Sequence, residues 1–231
     1  MNPLRSIREE FDTQAIITLV VCLLIALLGW WATRRQSKGG TGGEGYSPAD
    51  LRGIDPRRTA LDADEIWLLG FAAPYVEHHQ LLHDRWGLAP DGPNPAWQRK
   101  LGAVLSAAHV VDRGSWSRLV DSARSELAEP SPSYNDASGR AWVLTRYAWL
   151  VRLGVAAGHV DADAARHHTL AAATSARALF TNWSDYGDAF LASSAGSAGF
   201  DPVRLRADVR TLYAADGPWS DPGWPHDLNI S

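Results

Sequence analysis

Arg146 is the residue that most suggests a chemical role, because its charge interrupts an apolar helical pattern. On a helical wheel it falls in the middle of a broad apolar face, one turn after Trp142, whereas Thr145, Ala148 and Arg152 fall on the narrow opposite side. A buried guanidinium without partners is costly, so Arg146 should meet a carboxylate or several carbonyl groups. Two interpretations follow: a buried ion pair or a stem packed under Trp142, or else an anion site beneath the bundle surface. Burial would make Arg146→Ala cost about 3–5 kcal/mol.

A polar pocket around Arg146 would need acid–base groups nearby. Asp185, Asp188 and His159 are the candidates, and with them the site would suit a hydrolytic enzyme or a small-ligand binder. Carboxylates beside a buried arginine are also what plain ion pairs look like. The pocket therefore requires these side chains to converge in an open cleft.

Two pairs of histidines raise the question of a metal. His79 and His83 are four residues apart, so in a helix they share one face and could ligate a metal, but a third ligand would have to come from elsewhere. His167 and His168 are adjacent and point about 100° apart, which favours a solvated helix surface. No zinc-type cysteine spacing, phosphate-binding glycine loop or nucleophile elbow occurs, so no cofactor is predicted.

Composition excludes some classes of function. The net charge is −4, and because residues 1–38 hold five Lys/Arg and three Asp/Glu, the remainder is near −6, which argues against nucleic acid as a partner. The single cysteine, Cys22, lies in the N-terminal apolar run, so the rest of the chain has neither disulfides nor thiolate catalysis. The 11 tryptophans indicate wide aromatic packing.

The N-terminal segment, residues 1–35, predicts a single transmembrane helix. Residues 15–32 carry no charge across 18 positions and would span about 27 Å, close to the hydrocarbon thickness of a bilayer. A cleaved signal peptide is the competing interpretation, but Trp30 and Trp31 stand where small residues should precede a cleavage site. Arg34, Arg35 and Lys38 follow, so the positive-inside rule favours a cytoplasmic body at the plasma membrane.

The remaining chain divides into a glycine-rich flexible linker, residues 36–60, and an all-α soluble domain, residues 61–231. We predict a helix over 61–85 that Pro74 kinks or divides, a helix starting at Asn94 and Pro95, and a break at Gly114. A central pair of helices over 139–180 joins at residues 158–160, with Asp161 as the second N-cap. Thr181 or Asn182 should cap the next helix and Asp201 the last. Two tryptophans of the tail, residues 217–225, should clamp onto the bundle surface.

Several short motifs follow one another in a characteristic order. They are DRWGL at 84–88, AWVLTR at 141–146, LGVAAGHV at 153–160, FTNW at 180–183, PW at 218–219 and WP at 224–225. In this order they resemble the bacterial family called domain of unknown function 1266, over about residues 65–225. The family pattern has an acid where this chain has Val143, and a glycine-arginine pair where it has Ser193-Ser194. If family members pair that acid with the following arginine, Arg146 needs another partner, such as Asp185 or Asp188. The resemblance implies a helical domain without an agreed reaction, so it carries over no catalytic residue.

Two functions are therefore expected as alternatives. The first is a membrane-tethered interaction or adaptor module, anchored in the lipid bilayer by residues 15–32 and bound to a protein partner. Its contact surface would be aromatic grooves near Trp142, Trp183 and Trp219. The second is the hydrolytic enzyme or small-ligand binder with its pocket around Arg146.

Overall fold

The computed structural model describes residues 61–194, 200–214, 217–220 and 224. These residues form eight α-helices and one 3-10 turn, with no β-strand among them. The helices are α1 (Ala63–Gly70), α2 (Ala73–His78), α3 (Pro95–Ala107), α4 (Arg113–Ala128), α5 (Ala137–Ala156), α6 (Ala162–Arg177), α7 (Trp183–Ser194) and α8 (Pro202–Leu212), and the 3-10 turn is Pro132–Tyr134. The predicted all-α class is confirmed for this part of the chain.

Short polar residues start most of these helices. The carboxylate of Asp161 accepts from the backbone N–H of Ala164 at the start of α6, as predicted. The predicted caps Asn94 and Asp201 likewise begin α3 and α8. The side chain of Asn182, one of the two residues predicted to cap α7, accepts from the backbone N–H of Asp185. Each cap satisfies a backbone donor that has no partner inside its own helix.

Two predicted boundaries were wrong. Pro74 does divide the first helical stretch, but the second part ends at His78 because Gln80 adopts a φ of 54° that no helix continues through. The break before α4 lies at His109, which has a φ of 58°, and not at Gly114. Gly114 lies inside α4, because Asp112 caps this helix and forms a capping box with Ser115.

Helix α5 is the centre of the bundle, since α4, α6 and α7 all pack against it. The wheel prediction for this helix was wrong: Arg152 is 1% exposed and Thr145 0%, although both were placed on the solvent side. Arg146, predicted to be buried, is only half-buried. A helix surrounded by neighbours has no solvent face, so periodicity alone cannot tell which of its polar residues is enclosed.

The aromatic side chains form the core between α1, α7 and the C-terminal segment. Trp183 stacks on Trp219 with ring centroids 5.3 Å apart and planes 7° apart, and Trp219 Nε1 donates to the carbonyl of Gly70 at 3.0 Å. Trp142 stacks on Phe190 at 5.6 Å. Trp142, Trp183 and Trp219 are 8%, 4% and 5% exposed, so they cannot form the predicted aromatic contact grooves. Their burial contributes to stability instead.

The predicted membrane helix and the linker lie outside the described residues. Among the residues that are described, no helix is both long enough and apolar enough to cross a membrane.

Candidate functional site

Among the described residues, no ion pair joins Arg146 to the side chains proposed for its pocket. Asp185 and Asp188 are exposed on α7, whose Tyr186 and Phe190 are buried in the core. Asp185 accepts from the backbone N–H and the hydroxyl of Thr181, a contact local to the start of α7. Arg146 forms no ion pair with any residue that the structure describes.

Arg146 is near enough to Tyr75 to act on it electrostatically. Burial raises the pKa of Tyr75, and the positive charge of Arg146 opposes that rise. His159 contacts Trp116, with ring centroids 6.0 Å apart. Helix α5 ends at Ala156, about 15 Å along the helix from Arg146, and His159 lies beyond that end. The predicted ion pair of Arg146 is therefore absent from the described part of the chain, and the predicted acid–base pocket stays a prediction.

The predicted metal pair, His79 and His83, does not share a helix face. Helix α2 ends at His78, so the spacing of four residues no longer brings the rings together. The ring of His79 stacks on Trp149 at 5.4 Å, and Nε2 of His83 lies 3.0 Å from a carboxylate oxygen of Glu77. The described residues contain no group of three metal-ligating side chains.

Among the described residues the buried arginine is Arg152, and the loop after α2 wraps around it. Nη2 of Arg152 donates to the backbone carbonyls of Leu82 at 2.8 Å, His83 at 3.1 Å and Arg85 at 2.5 Å. Nη1 lies 3.5 Å from the carbonyl of Leu69 in α1. One guanidinium thus satisfies carbonyl groups of an irregular segment that cannot bond within a helix.

His83 completes this buried polar cluster. Burial lowers its pKa, while the hydrogen bond to Glu77 opposes the shift, so the ring is neutral at pH 7. Because a carboxylate only accepts, Nε2 of His83 carries the proton and donates. His83, Asp84 and Arg152 are each at most 5% exposed, so the cluster offers no entrance to a substrate. We assign it a structural role.

An open groove lies on the other side of α5. Helices α4 and α6 both pack on α5, and a cleft of about 570 Å³ runs between them. Most of the lining is aliphatic or small, comprising Leu127, Ala128, Ala164, Ala171, Ala172 and Ser175. The remaining lining residues are Arg124, Tyr147, His167 and His168. A mainly apolar cleft of this size with a few polar groups has the usual composition of a binding site.

Three polar side chains from three different helices meet in this groove. Nη2 of Arg124 on α4 and the hydroxyl of Tyr147 on α5 both lie 3.3 Å from Nδ1 of His168 on α6. Nη1 of Arg124 also pairs with Asp121 at 3.3 Å. Burial lowers the pKa of His168, and the charge of Arg124 lowers it further. These contacts connect α4 and α6, which form the walls of the groove, with α5, which forms its floor.

Sequence reasoning missed this site. His167 is exposed, as predicted, but His168 is half-buried and hydrogen-bonded, contrary to the expectation of a solvated surface. Arg124 and Tyr147 lie 44 and 21 residues before His168. No local spacing links positions so far apart.

Comparison with known proteins identifies a family but no function. The family model described as "Protein of unknown function (DUF1266)" matches residues 72–219. That range runs from the turn before α2 to Trp219, so it contains the Arg152 cluster and the groove. The chain has no significant match among curated proteins or among solved structures.

Proposed function

Since the chain belongs to the DUF1266 family of proteins of unknown function, we propose from its own features that it is a membrane-tethered helical interaction module whose partner binds in the groove between α4 and α6. The observation that supports binding is the groove itself, which is open, mainly apolar and lined by few polar groups. No ion pair among the described residues joins Arg146 to the acids suggested for hydrolysis, so a hydrolytic enzyme around Arg146 gains no support.

The tether is the uncharged segment 15–32, followed by a glycine-rich linker that would let the domain search for a partner near the bilayer. We propose a bacterial plasma membrane with the domain on the cytoplasmic side, because Arg34, Arg35 and Lys38 follow the apolar segment. Neither a nucleic acid nor a cofactor enters this proposal.

Anchoring is tested by membrane fractionation. The full-length chain should stay in the membrane pellet after an alkaline carbonate wash and dissolve only in detergent. Deletion of residues 15–32 should release it, because no other apolar segment of that length exists in the sequence. A full-length chain that is soluble without detergent would disprove the tether. Reporter fusions at the C-terminus should be active only when the reporter functions in the cytoplasm.

Binding through the groove is tested by co-purification in a mild detergent. Ala172 lines the groove and is half-buried, so Ala172→Leu should fill part of it without entering the core. Ala207, which is exposed on α8 away from the groove, provides the matched control Ala207→Leu. A specific partner should be recovered with the wild type and with Ala207→Leu and be lost with Ala172→Leu. The proposal fails if no specific partner appears, or if the groove variant retains it.

A further inference from the structure

The polar end of the groove points to the chemistry of the partner. We propose that it receives an acidic side chain, with the carboxylate held by Arg124 and His168 and the aliphatic stem lying against the alanines of α6. This inference rests on the proposed function, because it names what the partner presents to the same groove.

The contact with Arg124 determines which nitrogen of His168 carries the proton. A guanidinium has only donors, so Nδ1 of His168 must accept from Nη2 of Arg124. The hydroxyl of Tyr147 then donates to the same nitrogen, and both contacts are long, at 3.3 Å, as expected when two donors share one lone pair. The ring is therefore neutral with its proton on Nε2.

That tautomer leaves a donor available to a ligand. No described residue accepts from Nε2 of His168, and the guanidinium of Arg124, on a side chain 51% exposed, has N–H groups beyond those directed at His168 and Asp121. A carboxylate accepts two such N–H groups at once.

The charge in the groove suits a monoanion. Arg124 is the permanent cation among the lining residues, and Asp121 beside it offsets part of its charge. Burial, Arg124 and neighbouring His167 all lower the pKa of His168, and Asp121 only partly opposes them, so the ring adds no charge at neutral pH. A phosphate with two charges would lack a second cation, whereas a carboxylate matches the single guanidinium.

The rest of the groove suits an aliphatic stem. The α6 wall contributes Ala164, Ala171 and Ala172, and Leu127 and Ala128 lie on the α4 wall. Small side chains leave room for a glutamate or aspartate stem and for its neighbours in the partner chain. Burying such a stem contributes about 0.8 kcal/mol per CH₂ group.

Hexanoate is the probe, because it joins a carboxylate to a short aliphatic chain. It is titrated into the full-length chain in nanodiscs of zwitterionic lipid, and the ¹³Cε1 resonance of His168, assigned with His168→Gln, reports occupancy. Hexanoate should shift this resonance, and neutral hexanamide should bind about tenfold more weakly, the loss expected when a charge-assisted hydrogen bond is removed. Equal binding of the two compounds would overturn the proposal.

Matched variants locate the site. Arg124→Gln should weaken hexanoate binding about tenfold, while Arg206→Gln, which removes an exposed arginine from α8, should leave it unchanged. Ala172→Leu should weaken hexanoate binding by filling the apolar part of the groove. If Arg124→Gln and Arg206→Gln bind hexanoate equally, the carboxylate is not held by Arg124.

A final arm separates this inference from the proposed function. Excess hexanoate should elute the co-purified partner from the immobilised full-length chain, whereas hexanamide should not. If the partner depends on the groove but hexanoate neither binds nor elutes it, the function stands and the acidic side chain is wrong. If hexanoate binds through Arg124 but no partner is recovered, the groove is a site for a free organic acid, and both the adaptor role and the acidic side chain of a partner fail.

Discussion

Arg152 should be the most sensitive polar residue of the domain. We predict that Arg152→Met lowers the free energy of unfolding by about 3–5 kcal/mol. This is the range expected when one member of a buried charged interaction is removed and the other stays behind. The side chain is 1% exposed and joins the loop after α2 to α5 through carbonyl groups. Methionine fills much of the space but has no N–H group to donate.

The magnitude follows from the hydrogen bonds. Nη2 of Arg152 has two protons directed at the carbonyls of Leu82, His83 and Arg85, so the three contacts correspond to about two full bonds. A hydrogen bond to a charged group contributes about 1.5–3 kcal/mol, which places two of them at about 3–6 kcal/mol. The variant no longer has the cost of burying a guanidinium, and this offsets part of the lost hydrogen-bond energy. The buried carbonyl groups that are left without donors raise the cost again.

The assay is urea unfolding of the full-length chain in a mild detergent, followed by tryptophan fluorescence. Arg146→Met is the matched control, since the same substitution is made on the same helix at a half-buried residue without an ion pair among the described residues. It should cost less than about 1 kcal/mol, in the range of ordinary surface substitutions. If Arg152→Met costs less than about 1 kcal/mol, or if Arg146→Met costs as much as Arg152→Met, the assignment of the buried arginine is wrong.

Two further predictions concern packing and pH. A Cβ atom on Gly154 would clash with the ring of Trp116, so Gly154→Ala should cost about 1–3 kcal/mol in the same assay. The control is Gly102→Ala in α3, where a Cβ atom meets nothing within 4 Å, and it should stabilise by up to about 1 kcal/mol. A neutral Gly154→Ala would contradict this packing. Burial lowers the pKa of His79 to about 4, with His78 adding to the effect, so the unfolded chain takes up a proton near pH 6.5 and the folded chain only near pH 4. Stability from His79 is therefore present above pH 6.5 and is lost as the pH falls towards 4. Allowing for its partial exposure, the loss at pH 5 should be about 1 kcal/mol. His79→Gln should flatten the pH dependence of unfolding over this window, and an unchanged slope would show that the ring titrates normally.

Features that depend on a few consecutive residues could be predicted well. A cap is a bond between a side chain and a backbone N–H two or three residues later, so Asn94, Asp161 and Asp201 could be assigned without knowing the neighbours of their helices. The all-α class follows from apolar periodicity repeated over many residues. Helix ends set by positive φ angles at Gln80 and His109 were missed, because glycine is the default residue at such a turn and neither position has one.

The residues of the candidate site could not be predicted, and the reason is physical. Whether Arg146 or Arg152 is enclosed depends on which helices pack against each side of α5, and the residues that receive Arg152 lie 67–83 positions away. The groove likewise exists because α4 and α6 both pack on α5 and leave a gap, which brings Arg124, Tyr147 and His168 together. The sequence by itself determined the helical class, most of the caps and the apolar N-terminal segment, because these depend on neighbours along the chain. Only the tertiary structure decided which charge is buried and where the groove opens, because burial is a property of contacts between distant segments.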